Sequence, residues 1–313
     1  MTEPRIVTLT VNPTVDIACD TEAVRPIHKL RTYAEMQDPG GGGVNVARVV
    51  HELGGNVLAI VLAGGFPGQF LEELLAEEHV PCRALRIAGR TRISYTVHDR
   101  ASRQEYRFVA EGPQVVEAEW QAALAALEQE PADWIVASGS LAPGMPEDFY
   151  ARVAGIAART GRHFALDSSG APLKAALGHG LALIKPSQGE FETLAGDKLR
   201  RADDLEQAAG CLVRQGAAER IAVTRGHLGA LLATATERLH LPPIEVEAHS
   251  AVGAGDSFLG AMVLALARGA TDADAFAWGM AGGAAAVMHT GTAHPARADV
   301  ERLHARLRAQ AAL

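Results

Sequence analysis

The sequence predicts an α/β fold in three layers, a mainly parallel sheet with helices on both faces, accompanied by a small β-sheet lid. Three observations carry this expectation. Short β-branched runs alternate with helical patterns over most of the 313 residues, and such alternation builds parallel sheets covered on both sides. Proline and glycine punctuate most boundaries, as at Gly54-Gly55 and Pro143-Gly144-Met145-Pro146. Two strand-like stretches break the alternation, with no helix between their members. The chain therefore reads as a single domain, 1–313, whose discontinuous lid comes from about 13–38 and 90–111.

Ile6–Val11 is the first strand, its β-branched residues suited to a buried pleat. Val15–Cys19 and Tyr33–Met36 are the strand-like pieces of the first lid segment. A helix over Val44–Leu53, a strand over Val57–Leu62 and a helix over Gly68–Glu78 follow. Ile93–His98 and Glu105–Val109, joined through Asp99-Arg100-Ala101-Ser102, read as a hairpin and form the second lid segment. Further strands are expected at Trp134–Ala137, His163–Leu166, Ala182–Ile184 and Ile221–Thr224. Helices are expected at Ala118–Gln129, Glu147–Arg159, Leu205–Gln215, Ala254–Ala267 and Ala273–Met288. A lid of antiparallel strands can cover the carboxyl ends of the parallel strands, where open α/β sheets bind ligands. Its apolar outer surface suits a homodimer contact.

Composition narrows the partners. A net charge of −8 argues against a general nucleic-acid binder. Cys19, Cys82 and Cys211 are odd in number and widely spaced, which fits a reducing cytosol better than a disulfide framework, and no Cys/His spacing resembles a zinc site. No apolar run reaches about 18 residues, so no membrane span is expected. The strand pattern begins at Arg5 without a targeting leader, and a cytoplasmic protein acting on small molecules is expected.

Ser250-Ala251-Val252-Gly253-Ala254-Gly255-Asp256, running directly into a helix, is the segment best suited to chemistry. Glycine lets the backbone approach a ligand, and a helix N-terminus offers free N–H groups and partial positive charge to a phosphoryl group. Asp256 in the first turn can take a proton from a substrate hydroxyl, or it can serve simply as a helix cap. A second glycine turn, Gly40-Gly41-Gly42-Gly43 before Val44-Asn45, also opens a helix; it is neither a Walker A loop nor a dinucleotide fingerprint. Asp16, just after the first strand, can accept sugar hydroxyls or be a turn residue. Lys29 and Arg31 on one lid segment, with Arg90 and Arg92 on the other, can meet an anionic group or form a solvated face. Ser138-Gly139-Ser140-Leu141-Ala142-Pro143-Gly144, Lys185-Pro186-Ser187-Gln188-Gly189-Glu190 and Thr224-Arg225-Gly226-His227-Leu228-Gly229 each close a strand with small or polar groups at the same sheet edge.

In this order, Gly-Gly-x-x-x-Asn near position 41, Ser-Gly-Ser-Leu-x-Pro-Gly, Asp167-Ser168-Ser169-Gly170, Lys185-Pro-x-x-x-Glu190 and Val-Gly-Ala-Gly-Asp256 resemble the ribokinase-like (PfkB) carbohydrate kinase family. The resemblance runs from Thr8 to about Thr292. Asn12-Pro13-Thr14-Val15-Asp16, the four glycines, Lys29-Leu30-Arg31 and Tyr106-Arg107-Phe108 are most similar to its hexose-phosphate branch, the minor 6-phosphofructokinases of bacteria. That resemblance implies an ATP-dependent kinase converting fructose 6-phosphate to fructose 1,6-bisphosphate. The alternatives are a tagatose-6-phosphate kinase, a 1-phosphofructokinase, or a sugar-phosphate-binding regulator of weakened activity. It implies Asp256 as general base with the Gly253, Ala254 and Gly255 backbone as anion hole. Asp16, Gly41, Gly42, Asn45 and Ser140 would meet the sugar, and Lys29 and Arg92 its phosphate. Lys185, Ser187, Thr224, Gly226, Gly229, Ala286 and His289 would line ATP. Glu190 would organise Mg²⁺ through water, and carbonyls near Ser250, Val252, Ala286 and Gly291 would take K⁺. Ser187, Ala251 and His289 depart from the family pattern, which has Asn, Thr and Asn in their places.

Overall fold

The computed structural model describes residues 3–199, 201–288 and 294–311. Strand β1 (Arg5–Thr10) leads into the first excursion, β2 (Thr14–Thr21) and β3 (Tyr33–Gly40), which returns to α1 (Gly42–Glu52). β4 (Asn56–Ala63), α2 (Gly65–Glu77) and β5 (Cys82–Arg86) precede the second excursion, β6 (Arg92–Asp99) and β7 (Gln104–Val109). Next come α3 (Glu117–Gln129), β8 (Trp134–Ser138), α4 (Phe149–Thr160), β9 (His163–Asp167), α5 (Gly170–Ala176), β10 (Leu183–Ile184), α6 (Gln188–Ala195) and α7 (Ala202–Arg214). The chain closes with β11 (Ile221–Thr224), β12 (Ala230–Ala233), β13 (Arg238–Leu241), α8 (Ala254–Ala267), α9 (Asp272–Ala286) and α10 (Arg297–Ala311).

The main sheet runs β13-β12-β11-β10-β9-β8-β1-β4-β5. It is parallel except where β12 pairs antiparallel with β11 and β13. Period-two alternation divides its side chains between two apolar clusters. Ile6 packs with α1, α2 and α8–α10 on one face, while Val7 and Leu9 pack with α3, α4 and α7 on the other. All the strands and helices expected from the sequence are present. The strands β5, β12 and β13 and the helices α5, α6 and α10 are additional: the strands are four or five residues long and the helices flank weakly periodic sequence, so none stands out in isolation.

The second sheet, order β3-β2-β6-β7, is the lid. Its inner pair, β2 and β6, is parallel rather than antiparallel as expected, with Asp16 opposite Ser94. Both strands leave the main sheet from one point, where the Arg92 guanidinium donates to the Asn12 carbonyl at 2.9 Å. Running outward side by side, they must be parallel; the return strands β3 and β7 then flank them antiparallel. β3 also runs on to Gly40, two residues past the expected lid boundary, so the lid feeds straight into the glycine turn. No helix among the described residues is long and apolar enough to cross a membrane.

Candidate active site

Polar side chains collect at the carboxyl ends of adjacent strands. Asn12 follows β1, Ser138 ends β8, Asp167 ends β9, Lys185 follows β10 and Thr224 ends β11. The N-terminus of α8 points into this edge. Gly253, in the left-handed region at φ 74°, is its N-cap and turns the chain sharply enough to leave the first N–H groups without intrahelical acceptors.

Asp256 stands in the first turn of α8. Its Oδ2 accepts from Asn45 Nδ2 at 2.9 Å and its Oδ1 from the Ser138 hydroxyl at 2.9 Å. Burial raises its pKa above the usual carboxylate value, opposed by Asn45, Lys185 and Ser138. Beside it, buried Lys185 pairs with Asp167 at 3.0 Å. Burial works against the Lys185 charge, yet Asp167, Asp256 and Glu190 together hold its pKa above the ordinary value. Asp167 is pushed up to about 6 by burial, with Lys185 opposing. The floor of the site is thus a cation between acidic groups, held charged by them.

On the sugar side, Asp16 of β2 is raised to about 6, chiefly by burial, while the Thr14 hydrogen bond and the charges of Arg107 and Arg92 oppose the rise. Arg92 is anchored at both ends of its fork, donating to the Ala110 and Asn12 carbonyls at 2.9 Å each; its Nε is buried without a partner among the described residues. Gly41 is the N-cap of α1, and Gly42 packs on Ser138 so closely that a Cβ there would lie 2.2 Å from the hydroxyl. Asn45, expected to meet the sugar, spends its amide donor on Asp256, while its Oδ1 is buried and unpartnered among the described residues. Lys29 lies on the exposed connection between β2 and β3 with no hydrogen bond or ion pair to another described residue, and Ser140 is exposed; neither is brought against Asp256.

On the nucleotide side, Ser187 and Thr224 form a β-bridge, and Thr224 N–H donates to the Pro186 carbonyl at 3.1 Å, so two expected loops meet. Gly226 and Gly229 bound a single 3₁₀ turn. Ser187 caps α6: its hydroxyl and N–H both donate to Glu190 Oε2 at 2.7 Å, while Glu190 N–H reaches back to the hydroxyl at 3.4 Å. This reciprocal capping box occupies the Ser187 hydroxyl at the start of α6, on the loop expected to line ATP. Ala286, at the end of α9, is buried at 2% exposure. His249 and Ser250 N–H groups both reach the Val287 carbonyl, which brings the Ser250–Val252 segment to the end of α9. His289 and Gly291 lie outside the described residues. No cluster of three or more metal-ligating side chains exists among the described residues. A hard cation that keeps its waters still fits Glu190, whose Oε1 is not used in the capping box, with Asp167 nearby.

Sequence reasoning quoted Ser138 and Asp167 only within motifs and gave neither a role. Both end a strand; Ser138 lies two residues before Ser140, which was the available signal, whereas Asp167 meets Lys185 only through the pairing of β9 with β10. Arg107, which acts on Asp16 across the lid, was likewise passed over.

Residues 12–299 match the pfkB family carbohydrate kinases. The chain is 42% identical over 302 residues to the ATP-dependent 6-phosphofructokinase isozyme 2 of Mycobacterium tuberculosis, covering 96% of this chain and 89% of that one. It is 39% identical over 305 residues to the isozyme 2 of Escherichia coli, covering 97% and 99%. The solved structure of Escherichia coli phosphofructokinase-2 in complex with fructose-6-phosphate superposes with a TM-score of 0.92 at 37% identity, over 97% of this chain and 99% of that one.

Proposed function

The chain belongs to the pfkB family of carbohydrate kinases, and from that premise we propose that it transfers the γ-phosphoryl group of ATP to the C1 hydroxyl of fructose 6-phosphate, yielding fructose 1,6-bisphosphate. The observation that carries the reading is the Asp256 carboxylate, held by Asn45 and Ser138 in the first turn of α8, beside the ion-paired Lys185. In this reading Asp256 takes the C1 proton as the oxygen attacks phosphorus, and the α8 N–H groups and Lys185 receive the developing charge. Asp16 accepts sugar hydroxyls from the lid side, with Gly41 and Gly42 forming the opposite wall. Arg92 and Lys29 hold the 6-phosphate; Lys29 must swing in to do so, and Arg92 turns its partnerless Nε edge to the ligand. Thr224, Gly226 and Gly229 line ATP. Mg²⁺ held through water by Glu190 would neutralise phosphate charge when bound, and the Ser250, Val252 and Ala286 carbonyls would take K⁺.

The 313 residues act, in this reading, as one cytoplasmic kinase domain whose lid also makes a homodimer. Tyr95 and Phe108 pair across β6 and β7 and stay 45% and 59% exposed, an apolar outer row suited to a second copy. Phe108→Asp should shift the sedimentation coefficient to that of a monomer; an unchanged value would remove the lid from the interface. The function itself is tested by coupled ADP release with fructose 6-phosphate, tagatose 6-phosphate, fructose 1-phosphate and free fructose. Fructose 6-phosphate should lead in kcat/KM by about tenfold or more; a lead by another sugar would overturn the assignment.

A further inference from the structure

Resting on the reading of Asp256 as general base, we propose that Ser138 is a positioning residue for that base, and that Gly42 carries no side chain because the Ser138 hydroxyl occupies its place.

Ser138 is the last residue of β8 and only 3% exposed. Its neighbour Gly139 is fixed from three directions. Gly139 N–H donates to the Asp167 carbonyl at 2.9 Å, and its own carbonyl accepts from the Tyr150 hydroxyl at 3.0 Å and the Ser168 hydroxyl at 3.1 Å. Tyr150 sits on α4 and Ser168 just beyond β9, and both are buried. The strand end that carries Ser138 is therefore tied to the next strand and to the helix beneath it. From this anchored point the hydroxyl reaches Asp256 Oδ1, opposite the Asn45 amide on Oδ2. One donor on each oxygen fixes the plane of the carboxylate and still leaves each oxygen a lone pair for a substrate hydroxyl. In the transfer the sugar O–H bond breaks, its proton passes to the carboxylate, the oxygen bonds phosphorus and ADP departs with the electrons of the broken P–O bond. A carboxylate free to rotate would meet that hydroxyl in a productive geometry less often.

The close approach of Gly42 supports the same assignment. A Cβ at 42 would lie 2.2 Å from the Ser138 hydroxyl and 2.8 Å from both its Cβ and its carbonyl carbon. Backbone on one side and a pinned strand end on the other leave no room to give. Any side chain at 42 would push the hydroxyl off Asp256.

The charged groups facing Asp256 are Lys185 after β10 and Asp167 on β9, with Glu190 on α6 acting through that lysine. All remain in a Ser138 variant. Losing the hydroxyl removes a bond that favours the ionised base, so the base must titrate at higher pH.

Ser138→Ala in the full chain should lower kcat by about 10–100-fold, leave the sugar KM within about threefold, and move the acid limb of kcat upward by about one pH unit. Tyr150→Phe, which loosens the anchor only, should move the limb in the same direction by less. Carbon-13 NMR of the aspartate carboxylates reads the base directly, with the Asp256 signal assigned by its loss in Asp256→Asn. That signal should titrate about one unit higher in Ser138→Ala and in Gly42→Ala. An unmoved Asp256 titration, or a fall in kcat with an unmoved acid limb, would overturn the proposal. Should Ser138→Ala not fold, Gly42→Ala and Tyr150→Phe decide by the same criteria. The titration needs no turnover, so a wild type inert towards hexose phosphates would sink the functional reading while this readout stays separate.

Discussion

The floor of the site and its lid are built on opposite plans. Asp256, Ser138, Asn45, Lys185 and Asp167 stand at strand ends and helix starts, and each is held by at least one other member of the group. The lid carries Asp16 and Arg92 near its root, but Lys29 on its exposed outer connection has no bond to any other described residue, and its outer row shows Tyr95 and Phe108 to solvent. Rigid elements with mutual hydrogen bonds suit bond making, where small misplacements are costly. A sheet joined to the body at Arg92 and the glycine turn suits capture and closure. The difference predicts which variants strike turnover and which strike sugar affinity.

The largest effect belongs to the floor. Asp256→Asn should keep the fold and cut kcat by roughly 10²–10⁴-fold with little change in KM. Turnover within about threefold of wild type in a folded variant would exclude a general-base role.

Arg92→Ala tests the lid's root. It removes the bonds to the Asn12 and Ala110 carbonyls as well as a cation for the sugar phosphate, and should raise the fructose 6-phosphate KM about 10–100-fold while sparing kcat. Lys29→Ala should do the same more weakly, because Lys29 must first be ordered by the ligand. If both variants keep the wild-type preference for fructose 6-phosphate over fructose, neither binds the phosphate.

Asp16, raised to about 6 by burial, gives the lid its own pH signature. As an acceptor it works ionised, so kcat/KM should fall as pH drops through about 6 and recover above it. Asp16→Asn should be slower at pH 8 and less sensitive below pH 7, with a residual fall from Asp167, also near 6. An identical profile in the variant would remove Asp16 from sugar binding.

The smallest effect is expected at Ser187→Asn. Asn is as good a cap as Ser, and Glu190 keeps its bond to the residue 187 N–H. Any gain in Mg²⁺ affinity should stay within about 1 kcal/mol, read by magnesium titration at saturating sugar and ATP. A raised Mg²⁺ requirement would mean that the serine hydroxyl itself orients Glu190 for the cation.

Much of the floor was legible because local chemistry marks it. Gly253, Gly255 and Asp256 advertise a helix start with a carboxylate, and the polar turns after β8, β10 and β11 reveal which end of the sheet is used. Asp167 and Ser138 were less legible, since a strand-terminal Asp or Ser has the same local signature whether it contacts a reacting group or a turn. Ser187 shows the reverse case. Its side chain suited a ligand by resemblance, yet Glu190 three residues on is the signature of a capping box, and the structure gives the hydroxyl to the helix.

The sequence by itself determined the alternating strands and helices, the two lid segments and the glycine turns, because these depend on periodicity and backbone freedom within short windows. Only the tertiary structure decided that β2 and β6 run parallel, that Asn45 and Ser138 share one carboxylate 211 and 118 residues away, and that Lys185 holds its charge between Asp167 and Asp256. Those are long-range pairings, set by where strand ends converge once the sheet has formed, and no local window of the chain contains both partners.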